Sequence, residues 1–229
     1  MISKKERLNS YIQQFSLNTL FQSDMSRYME LFLFRKGETI CESSFELKYL
    51  YFLVSGKLKV YTILSEGKSL LLRFNKPLSV IGDVEFLNQL LVRCNVEAQV
   101  DSELIGIKFQ DLYQHAYDDP VFLRFLISNL SHKLSTISNS ASVNLLYPLE
   151  NRLASYLWSV NVNGDEVEVE GIKTQKLTEI AMLLGTSYRH LNRILKQFRQ
   201  EGIIAETKGT LSVTDLVKLK TLAKENIYE

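Results

Sequence analysis

LTEIAMLLGTSYRHLNRILKQFRQEGIIAETKGTLSV, residues 177–213, is the stretch on which the reading of this chain turns. Leu177, Ile180, Ala181 and Leu184 fall at i, i+3, i+4 and i+7, which gathers one apolar face of a short helix. Gly185 breaks that pattern. Thr186 or Ser187 then offers a hydroxyl cap for a second helix, in which Leu191, Ile194, Leu195 and Phe198 repeat the spacing. Two short amphipathic helices joined through Gly-Thr-Ser form the arrangement that lays a recognition helix into a DNA major groove.

The polar face of the second helix has the charge for that use. Between Thr186 and Gln200 it carries Arg189, Arg193, Lys196 and Arg199 and no carboxylate. Neutralising phosphates and reading base edges both call for such a one-signed surface. Arg189 and Arg193, four apart, share a face in the N-terminal half, while Tyr188, His190 and Asn192 add donors and stacking surface. Two apolar runs, at 203–205 and 211–213, flank Thr207-Lys208-Gly209-Thr210 and predict a β-hairpin with Lys208 at its tip. The candidate DNA contacts are therefore Thr186, Ser187, Tyr188, Arg189, His190, Asn192, Arg193, Lys196 and Lys208. A three-helix core with an ordinary basic exterior is the plainer alternative. The coincidence of spacing, turn and charge sign favours DNA.

The rest of the composition sets bounds. A chain of 229 residues with a net charge of +1 has no global pull toward nucleic acid, so affinity for DNA must come from local clustering. Two cysteines, Cys41 and Cys94, cannot alone hold a structural zinc site or a four-thiolate cluster, and free thiols in a reducing cytosol are expected. His115, His132 and His190 are scattered, with no metal-ligand partner at helical spacing. No phosphate-cradling Gly-rich loop and no Gly-x-Ser-x-Gly elbow is present, so no enzymatic activity is expected. Without an apolar leader or a bilayer-length run, a cytoplasmic protein with no membrane role is predicted.

Along the chain, residues 3–15 read as an amphipathic helix. From Tyr28 to about Phe109 short β-type runs follow one another, among them 31–34, 49–54, 58–64, 69–74, 96–100 and 104–108, punctuated by Gly37, Gly56, Gly67 and Gly82. Such spacing predicts an antiparallel barrel or jelly roll, with a turn of helix near 83–90. Asp111–Tyr117 reads as a short helix. Asp118-Asp119-Pro120 is a helix start, after which Leu123, Leu126, Leu130, Leu134, Ile137, Ala141 and Leu145 step by three or four. That seam suits parallel pairing with a second copy. Pro148 ends it. Another helix is predicted at 150–160, then a polar turn at 161–165 and an edge strand through Val167 and Val169. The fold class is thus α+β: a β-roll at 1–117, a long dimerisation helix and hinge at 118–147, and a winged helix–turn–helix at 148–229.

That order resembles the cyclic AMP receptor protein and FNR (CRP/FNR) family of bacterial transcription regulators over nearly the whole chain. The resemblance rests on Arg35-Lys36-Gly37-Glu38, on residues 50–60 (LYFLVSGKLKV), on Ile81-Gly82-Asp83, and on Leu177–Ala181 through Arg193–Lys196. Ser187-Tyr188-Arg189-His190-Leu191 is similar to the recognition-helix start of a YeiL-like subgroup. The resemblance implies a homodimer on double-stranded DNA bearing an inverted repeat, with RNA polymerase as a further partner if the protein activates. Tyr188, Arg189 and Arg193 match base-reading positions. Arg193 retains the family's arginine, whereas Arg189 stands where better-known members carry glutamate, so a different half-site is expected.

The same resemblance implies an effector site at Gly82, Asp83, Arg93, Cys94 and Ser138, where a cyclic nucleotide would meet a carboxylate and a phosphate-gripping arginine. Three departures weigh against that ligand: Asp83 replaces glutamate, Cys94 replaces serine, and Ile137 replaces an adenine-contacting threonine, leaving a polar edge unpaired. An unliganded roll in which Arg93 pairs with Asp83, or a different effector, is favoured over cyclic AMP, and no cofactor is assigned. The alternative function is a signalling module whose C-terminal domain engages a protein partner instead of DNA.

Overall fold

The computed structural model describes residues 3–63, 69–163, 166–167, 172–224 and 228, without the side chains of 139–140, 142–145, 162–163 and 166–167. The chain separates into two compact units, one of residues 1–60 and 75–135, the other of 61–74 and 136–229. This partition does not follow chain order: one end of a β-hairpin goes with the second unit.

The first unit opens on α1 (Lys4–Gln14), held by a reciprocal cap in which Ser3 N donates to Glu6 Oε2 at 2.7 Å and Glu6 N donates to Ser3 Oγ at 3.2 Å. In chain order there follow β1 (Glu30–Phe34), β2 (Thr39–Cys41), β3 (Tyr49–Ser55), β4 (Leu58–Ile63), β5 (Ser69–Asn75), β6 (Val80–Ile81), α2 (Asp83–Asn88), β7 (Asn95–Ala98), β8 (Ser102–Lys108) and α3 (Phe109–His115), of which the end of β4 and all of β5 but Asn75 count with the second unit. The strands form two four-stranded sheets, ordered β1-β8-β3-β6 and β2-β7-β4-β5, with antiparallel registers. All six expected strand runs have a strand, although the run at 96–100 ends at Ala98 and Leu64 lies outside the described residues. The two shortest strands, β2 and β6, were not expected; two or three residues cannot display an alternation.

Alternation explains how the first sheet is covered. Leu50, Phe52 and Val54 of β3 and Ile105 and Ile107 of β8 share one face and join Phe86, Leu112, Phe122 and Leu126 of the helices in a single apolar core. Gly56, at φ +92°, turns β3 into β4, and a Cβ there would lie 2.6 Å from Asp101 O.

α4 (Pro120–Leu146) begins as the Asp-Asp-Pro signal predicts. Asp119 Oδ1 accepts from Val121 N at 2.9 Å and Phe122 N at 3.3 Å, and its Oδ2 accepts from Gln22 N at 2.6 Å. The helix has two apolar faces. Phe122 and Leu126 are buried in the core, while Ile127, Leu134 and Ile137 are 62, 70 and 43% exposed. The expected seam therefore needs one correction: Leu126 faces inward, and its neighbour Ile127 is exposed. Residues 123, 127, 130, 134, 137 and 141 then keep alternating steps of four and three. The Leu145 side chain is outside the described set.

The second unit contains α5 (Leu149–Asn161), β9 (Val162–Asn163), β10 (Glu166–Val167), β11 (Ile172–Lys173), α6 (Leu177–Leu183), α7 (Tyr188–Gln200), β12 (Ile204–Thr207), β13 (Thr210–Val213) and α8 (Leu216–Ala223). Asn161 closes α5 instead of opening a turn; Val167 pairs in the β9–β10 ladder, and residues 164–165 and Val169 lie outside the described residues. Leu153, Leu157, Leu191, Leu195, Phe198 and Leu219 build the core, and Leu71 and Phe74 of β5 enter it at 0 and 3% exposure. Phe74 N donates to Tyr228 O at 2.8 Å, and Leu70 bridges to Leu184. Burying each such Leu or Phe contributes roughly 1.5–3 kcal/mol. Among the described residues, no helix is long and apolar enough to cross a membrane.

Candidate nucleic-acid interface

The turn between α6 and α7 is fixed by its backbone. Gly185 sits at φ +60°, its N–H donates to Met182 O at 2.9 Å, and Thr186 N donates to Ala181 O at 2.9 Å. This pairing is a Schellman closure of α6, and it needs a residue that tolerates the left-handed region. Ser187, extended at φ −83°, caps α7 by accepting from His190 N at 3.2 Å. Arg152 of α5 reaches across to donate to Leu184 O at 2.7 Å, clamping the turn. Sequence reasoning missed Arg152, because a helix arginine far from the motif gives no sign of its target.

α7 divides cleanly. Leu191, Ile194, Leu195 and Phe198 are buried, while Arg189, Arg193 and Lys196 are exposed and Tyr188 is about half-exposed. Arg193 Nη2 lies 2.9 Å from His190 Nε2. A guanidinium only donates, so Nε2 accepts, and the ring proton falls on Nδ1, which faces Thr186 Oγ1 at 3.5 Å. His190 is thus a brace that orients Arg193. Arg199 needs a correction: it is not part of a free cationic surface, since its Nη2 pairs with Glu206 Oε2 at 2.6 Å and ties α7 to β12.

The hairpin is present as expected. β12 and β13 pair antiparallel from Ile204↔Val213 to Thr207↔Thr210, and β11 joins the other edge of β13. Lys208 at φ +50° and Gly209 at φ +73° form the two-residue turn, with both central residues left-handed as a type I′ hairpin requires. Lys208 is exposed at the tip. The structure brings Thr186–Arg189, His190, Asn192, Arg193 and Lys196 together on one helix start and face, with Lys208 separate on the wing.

The proposed effector residues are not assembled in the expected way. Asp83, 2% exposed, does not pair with Arg93. Its two oxygens accept from Lys133 Nζ of α4 at 2.6 and 2.7 Å, and Lys133 also donates to Val80 O at 2.8 Å. Arg93 is exposed and makes no ion pair among the described residues. Gly82, at φ +93°, caps α2, where a Cβ would lie 2.8 Å from Tyr49 O. Cys94 is half-buried, and Ser138 is exposed in the second unit. Cys41 is buried, which pushes its thiol up to about 12. Among the described residues, no group of three or more His, Cys, Asp or Glu is placed to hold a metal.

Comparison with known proteins adds the family. Residues 31–116 match the cyclic nucleotide-binding domain, and residues 151–222 match the Crp-like helix-turn-helix domain. The chain is similar to regulatory protein YeiL of Escherichia coli O157:H7, 28% identical over 205 residues that cover 90% of each protein. It is similar to the cyclic AMP receptor protein of Thermus thermophilus, 22% identical over 196 residues, covering 86% of this chain and 89% of that one. In fold it is similar to a CRP/FNR family transcriptional regulator, also of Thermus thermophilus, with a TM-score of 0.69 at 22% identity, covering 86% of this chain and 100% of the other. Two domain matches in this order, on a roll of antiparallel strands and a winged helix–turn–helix, place the chain in the CRP/FNR family of DNA-binding transcription regulators.

Proposed function

We propose that the protein acts in the cytoplasm as a homodimer on an inverted-repeat operator, each α7 entering one major groove. The observation that carries this reading is the division of α7: one face is wholly apolar and buried, and the other presents Arg189, Arg193 and Lys196 to solvent. Arg189 and Arg193 suit guanine edges, with Tyr188 and Asn192 beside them. Thr186, Ser187 and Lys208 suit phosphates, and His190 steadies Arg193. The seam of Ile127, Leu134 and Ile137 on α4 suits the second copy, and a two-fold protein reads half-sites about one helical turn apart. RNA polymerase is the further partner if the protein activates.

The effector half of the reading follows the carboxylate. With Asp83 bound to Lys133 and Arg93 in solvent, the set Gly82, Asp83, Arg93, Cys94 and Ser138 gives a cyclic nucleotide little to grip, so none is assigned. A salt titration tests DNA binding against the protein-partner alternative. With six or more phosphate contacts in the dimer, affinity for a selected duplex falls by about 10³–10⁵ between 50 and 200 mM salt. Weak binding at every salt concentration would favour a protein partner.

A further inference from the structure

We propose that Lys133 is a built-in counter-ion that sets the rotation of α4 against the sensor sheets and thereby makes DNA binding independent of any small effector. The inference rests on the dimeric DNA-binding reading above. Asp83 is rigidly placed: it is the first residue of α2, directly after Gly82 at φ +93°, and its Oδ1 also accepts from Val84 N at 3.0 Å. Onto this fixed carboxylate Lys133 delivers one ammonium within 2.7 Å of both oxygens, and the same ammonium reaches Val80 O.

Phe122, Leu126 and Lys133 lie at i, i+4 and i+11, on one face of α4. Two of these points are held by apolar burial and the third by charge. Ile127, Leu130 and Leu134 point elsewhere, each one residue away from an inward position or its helical equivalent. A turn of α4 by one residue, about 100°, would bury the seam and pull Lys133 off Asp83 together. The ion pair and the outward seam are therefore two readouts of one helix setting. An effector hydroxyl seeking Asp83 would have to compete with an ammonium held on both carboxylate oxygens, whose side chain is only 14% exposed, which is a bias against occupancy.

The test uses full-length protein free of nucleotide and a duplex that the wild type enriches from a random pool. Anisotropy reads DNA affinity and sedimentation reads dimerisation. The wild type is expected to bind without additive, and cyclic AMP or cyclic GMP at about 1 mM changes its Kd less than about twofold. Lys133→Met is expected to weaken both dimerisation and DNA binding by at least about tenfold, and Lys133→Arg to recover most of that loss. Should Lys133→Met fail to fold, Asp83→Leu/Lys133→Met removes both charges, and the same loss is expected of it. A folded Lys133→Met or double variant that dimerises and binds like wild type overturns the proposal, as does a wild type that binds only after a nucleotide is added. A wild type that binds no duplex at any salt would instead sink the DNA reading, and sedimentation of the variants would still judge the role of Lys133 in dimerisation.

Discussion

The two units use charge in opposite ways. The first buries it: Lys57, Lys59, Asp83 and Glu103 are 1, 4, 2 and 8% exposed. Lys59 pairs with Glu97 at 3.1 Å, Asp83 with Lys133, and Glu103 with Arg7 while accepting from Tyr11 Oη at 2.6 Å. Among the described residues of the second unit, the buried polar side chains are neutral: Ser155, Ser159 and Asn161, with the phenols of Tyr156 and Tyr228. Arg189, Arg193, Lys196 and Lys208 stand outside, while Arg152 and Arg199 are half-buried against Leu184 O and Glu206. Buried pairs fix position at the expense of desolvation, whereas exposed cations keep their field for a partner. The contrast separates a unit that sets helices in place from one that presents a surface.

The largest expected effect breaks the inward pairing. Asp83→Ala takes the carboxylate from the Lys133 ammonium and should cost about 3–5 kcal/mol in denaturant unfolding. A loss below about 1 kcal/mol would mean that water already reaches the pair and that the two units differ less than described. Next, Arg193→Ala should cost about 1–3 kcal/mol on the selected duplex and much less on random DNA, with the thermal midpoint unchanged. Equal losses on both DNAs would reduce Arg193 to a phosphate contact and remove its base-reading role.

The smallest effect concerns pH. Burial raises Cys41 in the first unit and Tyr228 in the second, each to about 12. In both cases the neutral form is favoured by folding, so their stabilising contribution is intact below the unfolded values, near 8.5 for a thiol and 10 for a phenol. As pH rises above those values the unfolded chain loses protons first, and stability falls until the folded groups ionise near pH 12. Unfolding between pH 8.5 and 10 should show a decline of about 1 kcal/mol per pH unit from Cys41 alone, absent in Cys41→Val. A parallel decline in that variant would place the alkaline weakness elsewhere.

How much of this was legible follows from where each signal sits. The α6–α7 pair was readable, down to a choice of Thr186 or Ser187 as the cap, because its apolar spacing, its glycine and its hydroxyls are all local. The Asp119 cap was readable for the same reason. Choosing between Leu126 and Ile127 was not, since α4 is apolar on two faces and adjacent positions differ only in what the rest of the fold places against them. The Asp83–Lys133 pair was hidden more deeply. Its partners lie 50 residues apart, and a lysine on a helix ordinarily signals solvent. Arg199 misled for the opposite reason: its sign fits the DNA face, and Glu206 becomes its neighbour only once the wing folds back.

The hairpin end described with the second unit has a practical corollary. Leu71 and Phe74 fill a hollow whose other walls, among them Leu153, Tyr156 and Leu184, come from far later in the chain. A fragment begun at Pro148 would carry α5 to α8 and the wing yet leave those two plugs behind. The reading head is therefore not a cassette that transfers by cutting once, and swapping it between relatives requires that residues 69–75 travel with it.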